Sequence, residues 1–374
     1  MSNLKGFSIG IVKRSERSKM EIMRLRIIAF ILALAAGGLF ILLIGYNPLE
    51  LYGTIVSGAF RSKMAIQATI KFMIPLLMSS LGVILAFKMR FWNIGAEGQI
   101  IMGAIFSSYF ALFHSNWPHV VLLIVMFVAG FIGGGLWGLI PAYFKTKFNT
   151  NETLFTLMLN YIALHVISLL RDGPWKDPGS SGFPKIARFT ANAQLDTVFG
   201  IQFGWIIGLL LVVILFVYMR YTKQGYEISV VGESQSTAKY AGMNVKKIIL
   251  RTMLLSGGVC GITGVVQSAG SDMTLAASVA GGVGFTAIIV AWLANLNPIG
   301  ILVVSFLFSV LEKGSSVMQS TYGLSTYSAA VLQGIILFFI LGSEFFIRYK
   351  FAIREASTKV SNLSKVSAKG GAKE

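Results

Sequence analysis

The sequence predicts an all-α polytopic membrane protein of about ten transmembrane helices, several of them short or broken, with both termini cytoplasmic. Three observations predict it. Hydrophobic residues make up 55% of the 374 and charged residues only 13%. A water-soluble domain could not hide that much apolar surface in one core and still present a wetted exterior. The mean hydropathy of +0.73 is carried by many apolar runs rather than by one. The Lys and Arg residues gather in the tails and in short links between those runs, which is the distribution that membrane insertion produces.

The net charge of +17 therefore reads as membrane topology, and no nucleic acid is expected as a partner, since neither tail carries a recognisable binding module. The lone Cys260 lies inside an apolar run, which rules out an intrachain disulfide and makes it a small buried hydrophobe.

A window long enough to cross about 30 Å of hydrocarbon places candidate spans near 27–46, 65–87, 99–113, 119–144, 153–170, 201–219, 248–269, 284–296, 298–312 and 329–347. The first is long enough to remain as a span rather than be cleaved as a signal peptide. The stretches 99–113, 284–296 and 298–312 are too short to cross unaided and are where broken or re-entrant helices are expected. The organisation is a basic cytoplasmic tail over 1–26, a transmembrane region over 27–347 and a second, flexible basic tail over 348–374.

Positive charge orients the spans. Lys5, Lys13, Arg14, Arg17, Lys19, Arg24 and Arg26 hold the N-terminus in the cytoplasm, and an even number of spans returns the Lys-rich C-terminal tail to that side. Lys88 and Arg90, Lys145 and Lys147, and the segment 220–247 fall inside as well. The link "HSNWP" at 114–118 has neither Lys nor Arg and falls outside. The loop 171–200 also falls outside, against the rule, because it carries Arg171, Lys176, Lys185 and Arg188.

The search for chemistry excludes several classes. No G-x-x-x-x-G-K-[ST] loop occurs, so the chain does not hydrolyse ATP through a P-loop. "LSGG" at 255–258 sits in an apolar span, where small residues serve close helix packing. His114, His119 and His165 are scattered, with no metal-ligand spacing, and Ser256 has no base nearby in sequence.

Two features rise above composition. The polar segment 221–248 follows one span and leads straight into the next. Within it "SQSTAKYAGM" suits a short helix with Ser234 as N-cap and Gly242 near its end, offering Ala238, Tyr240 and Ala241 to a partner. Its bland alternative is a solvated loop. The other feature is "FWNIGAEGQIIMGAI" at 91–105, where Asn93, Glu97 and Gln99 stand among small and apolar residues. A Glu at the bilayer centre costs about 2.5 to 3.5 kcal/mol on insertion scales, so it faces protein or a water-filled path. Glu97 either lines such a path or caps the helix that starts near Gly98.

"RFWNIGAEGQIIMGA" resembles the "FNIGAEGQ" segment of bacterial ABC-importer permeases of the nucleoside and simple-sugar class, a group related to ribose and branched-chain amino acid permeases. The similarity continues through "TNETLFTLMLNYIAL" (150–164), "GPWKDPGSSGFP" (173–184), "GYEISVVGESQSTAKYAGMNVKK" (225–247) and "LANLNPIGI" (293–301). Trp92, inserted into the usual Phe-Asn pair, and the bulkier "GGVCGITG" are departures.

The resemblance implies a permease subunit of an ATP-driven importer in the bacterial plasma membrane, forming half of a pathway that works by alternating access. It implies four partners: the lipid bilayer, a second homologous permease, a cytoplasmic ABC ATPase and an extracellular substrate-binding lipoprotein. This chain is then no enzyme and holds no cofactor of its own; ATP and Mg belong to the partner ATPase. The pathway is expected to involve Phe91, Trp92, Asn93, Glu97, Gln99 and Asn160. The ATPase would couple through Glu233, Ser234, Thr237, Ala238, Tyr240, Ala241 and Gly242. Nucleosides are the substrate the resemblance favours, ahead of simple sugars and branched-chain amino acids. The rival from another class is an ion-coupled secondary transporter. It would need intramembrane carboxylates, and the candidates Glu97, Glu152, Asp272 and Glu312 all fall near span ends.

Overall fold

A computed structural model of the chain describes residues 7–13, 18–180 and 182–355. Lys5, Arg14, Arg17 and the tail from residue 356 onward lie outside the described residues. In chain order the elements are β1 (Phe7–Lys13), α1 (Lys19–Leu43), α2 (Pro48–Phe60), α3 (Lys63–Lys88), α4 (Ala96–Phe113), α5 (His119–Phe148) and α6 (Glu152–Asp172). There follow β2 (Thr197–Val198), β3 (Ile201–Gln202), α7 (Gly204–Tyr221), α8 (Lys223–Glu233), α9 (Gln235–Tyr240) and α10 (Val245–Val266). A π-helical turn (Gln267–Asp272), α11 (Val283–Leu293), α12 (Pro298–Tyr322), α13 (Thr326–Arg348) and β4 (Tyr349–Glu355) complete the described residues.

Eight helices among the described residues are long and apolar enough to cross a membrane, and all ten expected spans fall on helices. Of the three short candidates, two are short for structural reasons. α4 starts only after a break at 91–95, and α11 has 11 residues. The third, 298–312, is instead the first part of a regular 25-residue helix. The polar Glu312 and Lys313 ended the apolar run there, but backbone pairing continues to Gly323, whose φ of 65° closes the helix. The helix α2 was not expected at all.

The chain divides into two compact units, residues up to 48 with those from 330, and residues 49–329. In the first, β1 and β4 form an antiparallel ribbon with Phe7 opposite Glu355 and Lys13 opposite Tyr349. The same unit holds α1, whose N-terminus is capped by the Ser18 hydroxyl accepting from the Glu21 N–H at 3.3 Å.

The second unit is built around α10, which packs on α3, α4 and α5. Lipid tails are as apolar as leucine, so helices in a membrane associate through close van der Waals packing, and small residues allow it. A Cβ added at Gly261 of α10 would run into the carbonyl of Gly130 of α5, and one at Gly134 into the carbonyl of Gly257. One at Gly264 would meet the carbonyl of Ile100 of α4. The "LSGG" stretch is part of this surface: Gly257 lies against Gly134, and Gly258 against the ring of Phe131. Buried hydroxyls fasten the same contacts, since Ser256 Oγ donates to the Gly82 carbonyl of α3 at 2.8 Å.

At the end bearing Lys88, Lys145, Lys147 and Arg220, the polar segment 221–248 forms two helices rather than a loop. Ile228, Val231, Ala238, Val245, Ile248 and Ile249 bury their side chains with Met89, Phe91 and Ala142 in one cluster. The Arg251–Glu227 ion pair at 2.9 Å ties α8 to α10. At the opposite end, the 173–203 loop is docked rather than free. The N–H groups of Leu195 and Phe189 donate to the carbonyls of Ala269 and Met273. The Asn192 amide donates to the carbonyls of Ser115 and Trp117.

Replacing Gly261 by Ala should lower the yield of monodisperse protein in detergent several-fold, because its neighbours are backbone and cannot give way. Gly53→Ala in α2, with nothing within 4 Å, should leave the yield unchanged or stabilise the helix by up to about 1 kcal/mol. Size-exclusion profiles and thermal unfolding of the two variants check this.

Candidate functional site

Between α3 and α4 the helical ladder stops, and Phe91 to Gly95 run as irregular backbone. Inside a membrane protein such backbone survives only where its polar groups find protein partners or line a cavity. Here protein groups supply the partners of Ile94, Gly95 and Gly98. The Thr156 hydroxyl accepts from the Ile94 N–H at 3.1 Å, and the Asn160 amide donates to the Ile94 carbonyl at 2.9 Å. Asn160 Oδ1 also accepts from the Gly98 N–H at 2.9 Å, so one side chain of α6 holds both sides of the break. Asn93 Oδ1 accepts from the Gly95 N–H at 3.0 Å. The amides of Asn93 and Gln99 pair reciprocally at 3.2 and 3.3 Å.

Glu97 caps a helix, but not its own. Its two carboxylate oxygens accept from the N–H groups of Gly282 and Gly284 at 2.7 and 2.8 Å. Those donors stand at the N-terminus of α11, 185 and 187 residues away in sequence. The first N–H groups of a helix have no intrahelical partner, and the helix dipole favours an anion there. Gly282 adopts φ 82°, and a Cβ at Gly284 would strike the Glu97 backbone. Only glycine at these two positions lets the helix start against Glu97. α11 itself reaches about 16 Å at 1.5 Å per residue, roughly half the hydrocarbon thickness. It is thus the inner half of a broken passage that leaves α10 through the π-turn and the irregular stretch 273–282 and ends beside Phe87 and Trp92.

The other end of α11 is held by aromatic rings. Trp292 stacks on Trp92 with centroids 5.6 Å apart and an interplanar angle of 26°, and Phe87 of α3 lies 5.7 Å from each. Trp92 remains half-exposed, whereas Phe91 is buried in the cluster beneath α8 and α9.

The structure therefore brings Asn93, Glu97, Gln99 and Asn160 together around one break, all buried and all hydrogen-bonded within the chain. Sequence reasoning missed Thr156, Gly282, Gly284 and Trp292. The glycine pair at 281–282 ahead of a short apolar helix was the available signal for the cap.

At the basic end the expected short helix is α9, with the Ser234 hydroxyl accepting from the Thr237 N–H at 3.2 Å and Gly242 at φ 76° past its end. Tyr240 is 94% exposed, and Thr237, Ala241 and Gly242 are exposed with it, as is Glu233 at the end of α8. Ala238 corrects the expectation: it is fully buried against the bundle and cannot meet a partner. On so short a helix the outer face is set by Tyr240, and Ala238, two residues before it, points the other way. A Cβ at Gly232 would collide with the Lys88 carbonyl, so α8 rests directly on the last turn of α3, where the break begins.

The family described as "Branched-chain amino acid transport system / permease component" matches residues 64–341. The chain belongs to this family. It is a membrane-spanning permease component of the ABC-transporter type. The permease is 30% identical over 358 residues to the glucose ABC transporter permease protein TsgB13 of Haloferax volcanii, covering 92% of this chain and 93% of the relative. It is also 30% identical over 334 residues to the guanosine ABC transporter permease protein NupP of Bacillus subtilis, covering 86% and 94%. A second Bacillus subtilis protein with the same description, NupQ, is 26% identical over 255 residues, covering 66% of the permease and 80% of NupQ.

The two-oxygen cap makes Glu97→Gln nearly as damaging as Glu97→Ala. An amide offers one acceptor and turns its NH₂ toward the other N–H, and each lost charge-assisted bond costs about 1.5 to 3 kcal/mol. Both variants should unfold at lower temperature than the wild type in detergent. A Gln variant as stable as wild type would show that the two-oxygen cap does not hold α11.

Proposed function

We propose that this permease forms half of the translocation pathway of an ATP-driven importer of nucleosides in a bacterial plasma membrane. A second homologous permease supplies the other half, an ABC ATPase binds ATP and Mg, and an extracellular lipoprotein delivers substrate. The carrying observation is the mounting of α8 and α9. An exposed Tyr240 stands on helices whose inner faces are packed on the same α3 end that opens into the break. Motion imposed on α9 by an ATPase would reach residues 91–95 through Gly232 and Lys88, and α11 through the Glu97 cap and the Trp92–Trp292 stack. Alternating access then amounts to tilting α11 against its neighbours. Phe91, Asn93, Glu97, Gln99 and Asn160 serve that movement by holding the break in shape, and Trp92 faces the pathway.

The nucleoside reading rests on the relatives named for guanosine and nucleosides. A simple sugar is the second reading, carried by the equally similar glucose permease of Haloferax volcanii. Competition of uptake by unlabelled nucleosides, sugars and branched-chain amino acids, in cells carrying the complete transporter, separates them. Uptake driven by an ion gradient in proteoliposomes holding this chain alone would replace the ATP-driven reading with a secondary transporter.

Tyr240→Ala should lower co-purification of the ATPase about tenfold or more, as loss of a central aromatic anchor does, with membrane insertion unchanged. Pull-down from detergent extracts reads the effect, and full ATPase recovery with normal uptake would place the docking elsewhere.

A further inference from the structure

The outward faces of two long helices are what lipid requires. Val121, Ile124, Val128, Ile132 and Leu136 of α5 are exposed and apolar, as are Leu209, Leu210, Val213, Ile214 and Val217 of α7. The helix α6 differs. Its packed face, with Thr156, Asn160 and Ala163, holds the break, while Leu154, Met158, Tyr161, His165 and Leu169 form an exposed stripe at three- and four-residue spacing.

Tyr161 and His165 stand about 14 and 20 Å along the helix from Glu152, well within the hydrocarbon layer. Neither side chain hydrogen-bonds within the chain among the described residues. A polar group left unpaired in hydrocarbon costs several kcal/mol, so an imidazole and a phenol on this face require water or a polar partner. The stripe also has a direction. Asn160, the residue before Tyr161, is bonded to Ile94 and Gly98, so Tyr161 stands level with the break along the helix and His165 one turn further toward the Arg171 end.

We infer that Tyr161 and His165 line a water-filled cargo path on the outer side of the break and hydrogen-bond a small neutral cargo rich in hydroxyl or amide groups. The inference rests on the reading of this chain as half of a two-permease importer. A phenol and an imidazole each both donate and accept, which suits such a cargo and gives a fixed charge little to pair with. His165 was one of three scattered histidines with no role in sequence, and α6 supplies the missing context.

Thiol accessibility in the assembled importer tests it, because the single native cysteine, Cys260, is fully buried and provides an unlabelled baseline. His165→Cys should react with a membrane-impermeant, water-soluble methanethiosulfonate added from outside, and the labelled importer should lose uptake. Leu210→Cys on the lipid-facing stripe should stay unlabelled, and Phe183→Cys in the outer loop should label fully. An unlabelled His165→Cys beside a labelled Phe183→Cys places the stripe in lipid or against protein and overturns the inference. Labelled guanosine and glucose serve as cargo probes. For whichever the wild type takes up, His165→Leu and Tyr161→Phe should each raise the KM of uptake about fivefold to tenfold, the loss expected of one hydrogen bond, with maximal rate and abundance nearly unchanged. A KM unchanged in both variants overturns the cargo contact even if the path is wet. A wild-type importer without ATP-dependent uptake defeats the importer reading instead, and the labelling result still decides whether the stripe faces water.

Discussion

A helix that begins inside a hydrocarbon layer exposes N–H groups that neither lipid nor distant water can satisfy. The half-length α11 exists because the Glu97 carboxylate takes two of them. Much of the surrounding architecture serves that contact. The break at 91–95 frees α4 to start beside α11, and Thr156 and Asn160 of α6 pair the backbone groups that the break leaves open. Glycine at 284 lets the two helices meet at backbone distance. A buried carboxylate is costly in isolation, and the positive end of α11 is what makes it tolerable.

The bundle and the break use different physics. Around α10, cohesion with α3, α4 and α5 comes from close approach: glycines on α5 and α10 bring backbone to backbone, and a buried hydroxyl bonds a nearby carbonyl. Around the break, cohesion comes from directed hydrogen bonds of three amides, a hydroxyl and a carboxylate. Contacts of the first kind slide by small amounts, whereas those of the second kind are made or broken. A two-state movement is therefore better placed at α11 than in the glycine-packed core.

Much of the architecture was legible in the sequence, because apolar runs of membrane length mark helices whatever they pack against. All ten expected spans fall on helices, and the helix start near Gly98, the N-cap Ser234 and the stop at Gly242 are local signals that local chemistry obeys. The misreadings have a common cause. Glu97 was expected either to line a path or to cap the helix it begins, because sequence shows only near neighbours, and the helix it does cap lies 185 and 187 residues on. Ala238 looked available because the segment around it is polar, yet the direction of one side chain on a six-residue helix depends on what lies beneath it. The end of α12 was set too early because charge alone was taken to stop an apolar run.

The ribbon between Phe7–Lys13 and Tyr349–Glu355 has a consequence for parity. Two strands can pair only on one side of a membrane, so the chain between them must cross it an even number of times. Among the described residues, the eight long apolar helices and the 23-residue α13 make nine, an odd number. The tenth crossing falls to the irregular stretch 273–282 together with α11, neither of which is long enough to cross as a helix by itself. A bookkeeping rule applied to the two ends of the chain thus requires the composite passage that Glu97 holds at its middle.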